Sequence, residues 1–81
     1  RMPGPVYPEG YSKVELATGT RMWVGPVGMV IHAEPVAGEP ELGWTVKLID
    51  GNTTIEVGVR DGQLDNLALF VCRALAGQVN S

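Results

Sequence analysis

Only one segment of the chain has the period of an α-helix, and it comes after everything else that can form regular structure. When successive residues turn by 100°, residues 64–75 place most of their apolar side chains on one broad stripe. Asp61 is a residue type that caps a helix N-terminus, and Gly77 is typical of a helix end. The sequence therefore predicts one helix over about residues 62–76, and this helix has to cover the rest of the fold.

The residues before the helix alternate between apolar and polar side chains, which is the period of β-strands. The strand candidates are residues 12–18, 20–24, 29–36, 44–50 and 53–59. Asp50 and Gly51 favour a tight turn, so the last two candidates should form an antiparallel hairpin. We predict an α+β fold: a four- to five-stranded antiparallel meander, curled or partly barrel-like, with one C-terminal helix packed across it.

The third strand candidate carries apolar side chains at both odd- and even-numbered positions. Strict alternation places Met29, Ile31 and Ala33 on one face of this strand, and Val30, His32 and Glu34 on the other. The prediction is therefore that Val30 and Ile31 lie on opposite faces of the strand.

The first ten residues predict an extended N-terminal arm, because they contain three prolines and two glycines. Residues 11–81 are expected to form a single α+β domain, since 81 residues leave no room for two. Hydrophobic residues make up 44% of the chain and charged residues 19%, which is a globular balance. The arm carries Tyr7, and Tyr11 follows it, so it has apolar surface to pack on a domain.

The charge pattern does not favour nucleic acid as a partner. The formal net charge is −3, and the six basic residues are scattered along the chain rather than clustered. No apolar run approaches the roughly 18 residues that cross a bilayer, and the N-terminus has no signal-peptide pattern. The single cysteine, Cys72, cannot form an internal disulfide, which is typical of a reducing compartment. We expect a soluble, cytoplasmic protein that binds neither nucleic acid nor membranes.

The sequence offers few groups for catalysis. His32 and Glu34 share a face of their strand, as an imidazole and an orienting carboxylate would, but such a pair is typical of a polar surface. Cys72 could pair with His32 as a nucleophile, yet its position in mid-helix on the sheet-facing side favours core packing. We find no ligand spacing for a metal and no phosphate-binding loop. The sequence therefore predicts a protein that is not an enzyme and holds no cofactor or metal.

A ligand pocket is a second interpretation. Met22, Trp23 and Trp44 are large, polarisable side chains that suit apolar or cationic ligands where they line a concavity. Since Met22 and Trp23 are neighbours in a strand candidate, they must point to opposite faces of the sheet. The alternative is that both tryptophans lie in the core.

The helix has more apolar surface than one sheet needs. Leu69 falls nearly opposite the sheet-facing stripe, beside Asn66 and Arg73, and Phe70 falls near one margin. We predict that these four residues form an interface. The candidate covers are the N-terminal arm, a second copy of the chain, or a different protein; a singly exposed leucine would need none.

The function hypothesis follows from these features. The sequence predicts a small non-catalytic binding or accessory protein that acts through protein–protein contact, as a homodimer joined through the C-terminal helix or the N-terminal arm. The alternative is a small-molecule binder that uses Met22, Trp23 and Trp44.

Overall fold

The fold is a two-layer arrangement of one sheet and one helix. A computed structural model describes residues 6–80, and the side chains of residues 6–78. Its elements are β1 (Ser12–Glu15), β2 (Arg21–Gly25), β3 (Gly28–Pro35), β4 (Trp44–Asp50), β5 (Thr53–Val59) and α1 (Leu64–Asn80). Each strand pairs antiparallel with the next, in the order β1-β2-β3-β4-β5. The predicted α+β meander is confirmed; the sheet is not closed, and β1 and β5 are its two edges.

The hairpin of β4 and β5 has the bounds that the sequence predicts. Asp50 lies opposite Thr53, and Gly51 has a φ of 60°, which is the left-handed conformation that this tight turn requires. The pairing continues along both strands to Trp44 opposite Val59. This strand pair is determined by local sequence, because the turn residues set its register.

The sheet has an irregularity between β2 and β3, and it changes which side chains reach the core. Trp23 lies opposite Ile31 but Val24 lies opposite Met29, so Val30 is an extra residue in β3. Val30 is only 7% exposed and belongs to the core, whereas Met29 is exposed. The prediction that Val30 and Ile31 lie on opposite faces is therefore wrong: both side chains lie in the core, because the bulge breaks strict alternation.

The core lies between α1 and the middle of the sheet. The buried side chains come from β2, β3 and β4 on the sheet and from one stripe of α1; they are Trp23, Val30, Ile31, Ala33, Trp44, Val46, Leu64, Ala68 and Cys72. The described chain measures 40 × 38 × 20 Å, and the short dimension fits one helix layer over one sheet layer. The other side of the sheet, which we call the open face, has no described element packed on it.

Both tryptophans lie in this core, and each indole N–H has an acceptor. The Trp23 Nε1 donates to the Tyr7 hydroxyl at 2.9 Å, and the Trp44 Nε1 donates to Asp61 Oδ1 at 2.7 Å. The first bond ties the N-terminal arm, from Tyr7 onward, to the domain. The second bond joins β4 to the segment that leads into α1. Burial of an indole without such an acceptor would cost free energy, so these two bonds matter to stability.

The helix begins and ends differently from the prediction. Asp61 starts a short 3₁₀ helix, Asp61–Gln63, which has no side-chain cap, so the predicted capping role of Asp61 is wrong. Its carboxylate accepts the Trp44 N–H instead. The helix α1 also continues through Gly77 to Asn80 rather than ending there. A Cβ at Gly77 would meet no atom within 4 Å, so this glycine is not required by packing.

The Trp44–Asp61 bond leads to a stability prediction. The variant Asp61→Ala should lower the free energy of unfolding by about 1–3 kcal/mol, because a buried indole N–H loses a charged acceptor. Asp61→Asn keeps an acceptor oxygen and should recover most of the loss. Urea denaturation followed by tryptophan fluorescence measures both. Asp65→Ala is the matched control: it removes an exposed ion pair with Lys13 and should cost about 1 kcal/mol or less. Equal losses for Asp61→Ala and Asp65→Ala would contradict the prediction.

Candidate functional site: the β5 edge and the helix flank beside it

The two flanks of α1 face different edges of the sheet. On one flank, Lys13 of β1 donates to Asp65 Oδ1 at 2.9 Å, so this flank faces β1. On the other flank, Phe70 lines a groove together with Gly58 and Val59 of β5. The helix thus lies along the sheet with β1 on one side and β5 on the other.

The predicted interface is divided between these flanks. Leu69 and Arg73 follow Asp65 at intervals of four residues, so they continue the row of side chains on the β1 flank. Asn66 and Phe70 form the neighbouring row and line the groove beside β5. Leu69 is half-buried, whereas the other three residues are exposed. The structure therefore does not bring Leu69 and Phe70 together in one surface.

We call the concavity on the second flank the β5 groove. It is lined by Gly58, Val59, Arg60, Gln63, Asn66, Leu67 and Phe70. The Phe70 side chain is 71% exposed, and Ile55, on the helix-facing side of β5, is 55% exposed. Phe70 lines the groove and Ile55 lies further along the same edge strand, so this side of the domain exposes apolar surface of the kind found at contact sites.

The arm does not cover this groove in the described part of the chain. Tyr7 and Tyr11 pack against the core instead, and the Tyr11 ring lies against the backbone of Gly25 in β2. A Cβ atom added at residue 25 would lie only 2.7 Å from Tyr11 Cε2. Any side chain at residue 25 would collide with that ring. Residues 6–10 of the arm therefore do not cover Phe70. Residues 1–5 of the predicted arm lie outside the described residues.

The two edge strands differ in how they are protected. The strand β1 has four residues, and its charged side chains take part in ion pairs: Lys13 with Asp65, and Glu15 with Arg21 at 3.2 Å. The strand β5 has seven residues, of which five are β-branched and only one, Glu56, is charged. A short, charged edge is protected against further pairing, and a long, β-rich edge presents unpaired backbone groups. β5 is therefore the edge that can accept another strand.

The residues of the predicted ligand pocket are not brought together. Trp23 and Trp44 lie buried on the helix side of the sheet, and Met22 points to the open face. Each tryptophan ring is also flanked by a cation: the Arg21 guanidinium carbon lies 4.5 Å from the Trp44 ring centroid, and Lys13 Nζ lies 5.7 Å from that of Trp23. The two rings are thus occupied by contacts within the chain.

The groups considered for catalysis are also separated. His32 lies on the open face, with its Nε2 3.6 Å from Glu34 Oε1, whereas Cys72 is buried on the sheet-facing side of α1, on the other side of the sheet. Burial raises the pKa of the Cys72 thiol, which disfavours the thiolate that a nucleophile needs. Within residues 6–78, no group of three His, Cys, Asp or Glu side chains could hold a metal ion.

Comparison of this chain with protein families, with curated proteins and with solved structures gives no match. Among the helices of the described residues, none combines the length and apolar character that crossing a bilayer requires. The geometry of the chain itself is therefore the basis for a functional proposal, and we base the proposal on the β5 groove and its edge strand.

The buried thiol gives a second prediction. Cys72 in the native protein should react with a disulfide reagent such as DTNB at pH 8 at least about a hundredfold more slowly than in guanidinium chloride, because burial blocks access and raises the thiol pKa. Absorbance of the released thiolate measures both rates. Reaction of the native thiol as fast as that of the unfolded chain would show that Cys72 is accessible, contrary to its place in the core.

Proposed function

We propose that this chain is a small non-catalytic binding or accessory protein that acts through protein–protein contact and self-associates as a homodimer. The observation that carries the proposal is the β5 groove, where a 71% exposed phenylalanine lies beside an edge strand. The inner side of this strand pairs with β4, and its outward-facing backbone groups have no partner strand among the described residues. Aromatic side chains are enriched among the residues that dominate protein interfaces. A cytoplasmic location belongs to the same proposal, since the one thiol, Cys72, is buried and free.

The rest of the described surface supports a binding role better than a chemical one. On the open face, His32 Nε2 and Glu34 Oε1 lie 3.6 Å apart, and the concavity that these two residues line contains neither a serine nor a cysteine. The alternative of a small-molecule binder built on Met22, Trp23 and Trp44 has no observation in its favour, because these residues lie on both sides of the sheet.

The homodimer is tested by sedimentation equilibrium of the full chain over micromolar to millimolar concentrations. We expect a reversible monomer–dimer equilibrium. The variant Phe70→Ser should raise the dissociation constant by roughly tenfold to a hundredfold, because two phenylalanine side chains per dimer lose their contribution to the contact.

The matched control is Val27→Ser. Val27 is 98% exposed in the turn between β2 and β3, so its loss removes exposed apolar surface away from the β5 groove. This variant should dimerise as the unchanged chain does. A chain that stays monomeric at millimolar concentration would contradict the homodimer, and equal effects of both variants would show that the contact is not at the groove.

A further inference from the structure

We infer that the occupant of the β5 groove is a second copy of this chain, joined edge to edge through β5 in an antiparallel pair with its two-fold axis at Gly58, so that two five-stranded sheets become one sheet of ten strands. This inference rests on the proposed homodimer and specifies its geometry. It depends on the charges, the side-chain pattern and the glycine of the edge strand itself.

The first argument is the charge pattern of the edge. A two-fold axis at Gly58 places Glu56 of one copy opposite Arg60 of the other, and symmetry makes this pair twice. Both residues are exposed, and Arg60 keeps an extended backbone, with φ −69° and ψ 147°, beyond the last residue of β5. Opposite charges that face each other across a strand pair are favourable. An axis at Glu56 would place two carboxylates opposite each other, so the charges favour an axis at Gly58 over one at Glu56.

The second argument is the apolar side of the same register. Val57 of one copy lies opposite Val59 of the other, again twice, on the face where both residues already pack against the core. Pairs of β-branched side chains are favourable across neighbouring strands. Because a two-fold axis perpendicular to the sheet leaves both helices on one side, the two Phe70 side chains lie over the seam, beside Gly58 and Val59.

The third argument concerns Gly58. A glycine within a strand weakens it, yet this one does not have a positive φ and a Cβ there would meet no atom of its own chain within 4 Å. Nothing within the described chain thus requires glycine at this position. In strands, glycine marks places where another backbone approaches closely, and Gly58 is the residue at which the two copies would meet.

The other edge offers no equivalent surface. β1 has four residues, and a second copy that paired there would have to approach Lys13 and Glu15, whose side chains already form ion pairs with Asp65 and Arg21. Pairing through β5 therefore closes at two copies and does not continue into a fibre, because each copy has one available edge.

A charge-reversal experiment tests the register. In the full chain, Glu56→Arg alone and Arg60→Glu alone should each raise the dissociation constant by roughly tenfold or more, since each creates two like-charge pairs per dimer. The double variant Glu56→Arg with Arg60→Glu restores both pairs and should dimerise within about threefold of the unchanged chain. Glu34→Arg, on the open face away from the edge, is the control and should leave the dissociation constant unchanged. Thermal unfolding of each variant checks that it is folded.

A cross-linking experiment tests the same geometry without relying on charge. Gly58→Cys places two thiols on the axis, where paired strands bring Cα atoms about 4.5–5.5 Å apart, within the range of a disulfide. This variant should form a disulfide-linked dimer on mild oxidation. The matched control is Gly62→Cys, since Gly62 also lacks a positive φ and has equally open space around a Cβ, but lies in the 3₁₀ helix after β5 and not on the axis.

The outcomes separate the inference from the proposed function. A dimer that is weakened by the single reversals, restored by the double variant and cross-linked only through residue 58 supports the edge-to-edge pair. If the dissociation constant of the dimer does not change on charge reversal and residue 58 does not cross-link, the inference is overturned. The proposed homodimer is then retained with a different interface. A chain that remains monomeric throughout overturns both.

Discussion

A single α-helix is about 10 Å wide, whereas five strands spaced about 4.8 Å apart form a sheet roughly 19 Å across. This difference in width determines which strands the helix can cover and which it leaves uncovered. The helix α1 covers the middle strands, and its buried stripe of Leu64, Ala68 and Cys72 packs against side chains from β2, β3 and β4. Apolar side chains near the two edges of the sheet must be covered by something other than the helix.

The β1 side of the core is covered by contacts within the chain. Tyr7 lies against the core and accepts the Trp23 N–H, Lys13 bonds to Asp65, and the Tyr11 ring packs on Gly25. Each of these contacts joins the N-terminal part of the chain to the sheet or the helix, so the flank is closed by packing and by hydrogen bonds.

The β5 edge has no such cover in the described residues. Ile55 and Phe70 are exposed there, and the backbone of β5 lacks a partner on its outer side. In a domain of 81 residues, which buries only about 60% of the surface of its unfolded chain, completing this edge would add appreciably to stability. Association through β5 would cover this side of the domain with a second copy, as the N-terminal segment of the same chain covers the β1 side.

The sequence predicts the features that depend on near neighbours. The hairpin of β4 and β5 follows from Asp50-Gly51 and from alternation, and the sheet-facing stripe of α1 follows from its period. Strand alternation likewise separates Met22 from Trp23. The role of Asp61 could not be predicted in this way, because its partner, Trp44, lies in another element.

Features that depend on the whole fold cannot be predicted from sequence patterns alone. The bulge that buries Val30 arises from the pairing of two strands, and nothing within β3 marks it. The apolar excess of the helix is visible as Leu69 and Phe70, but their separation onto different flanks depends on how the helix lies on the sheet. The importance of β5 depends on its position at an edge, which a strand's own residues do not encode.

The most direct test of this account is hydrogen exchange of the β5 backbone amides at two protein concentrations, one well below and one well above the dissociation constant. In an antiparallel sheet, alternate residues of an edge strand direct their N–H groups outward, and these are the groups that a second copy would protect. The account predicts that alternate amides of β5 exchange more slowly at the higher concentration, while those of β1 do not change. Exchange from β5 that is independent of concentration, in a chain shown to be dimeric, would contradict it.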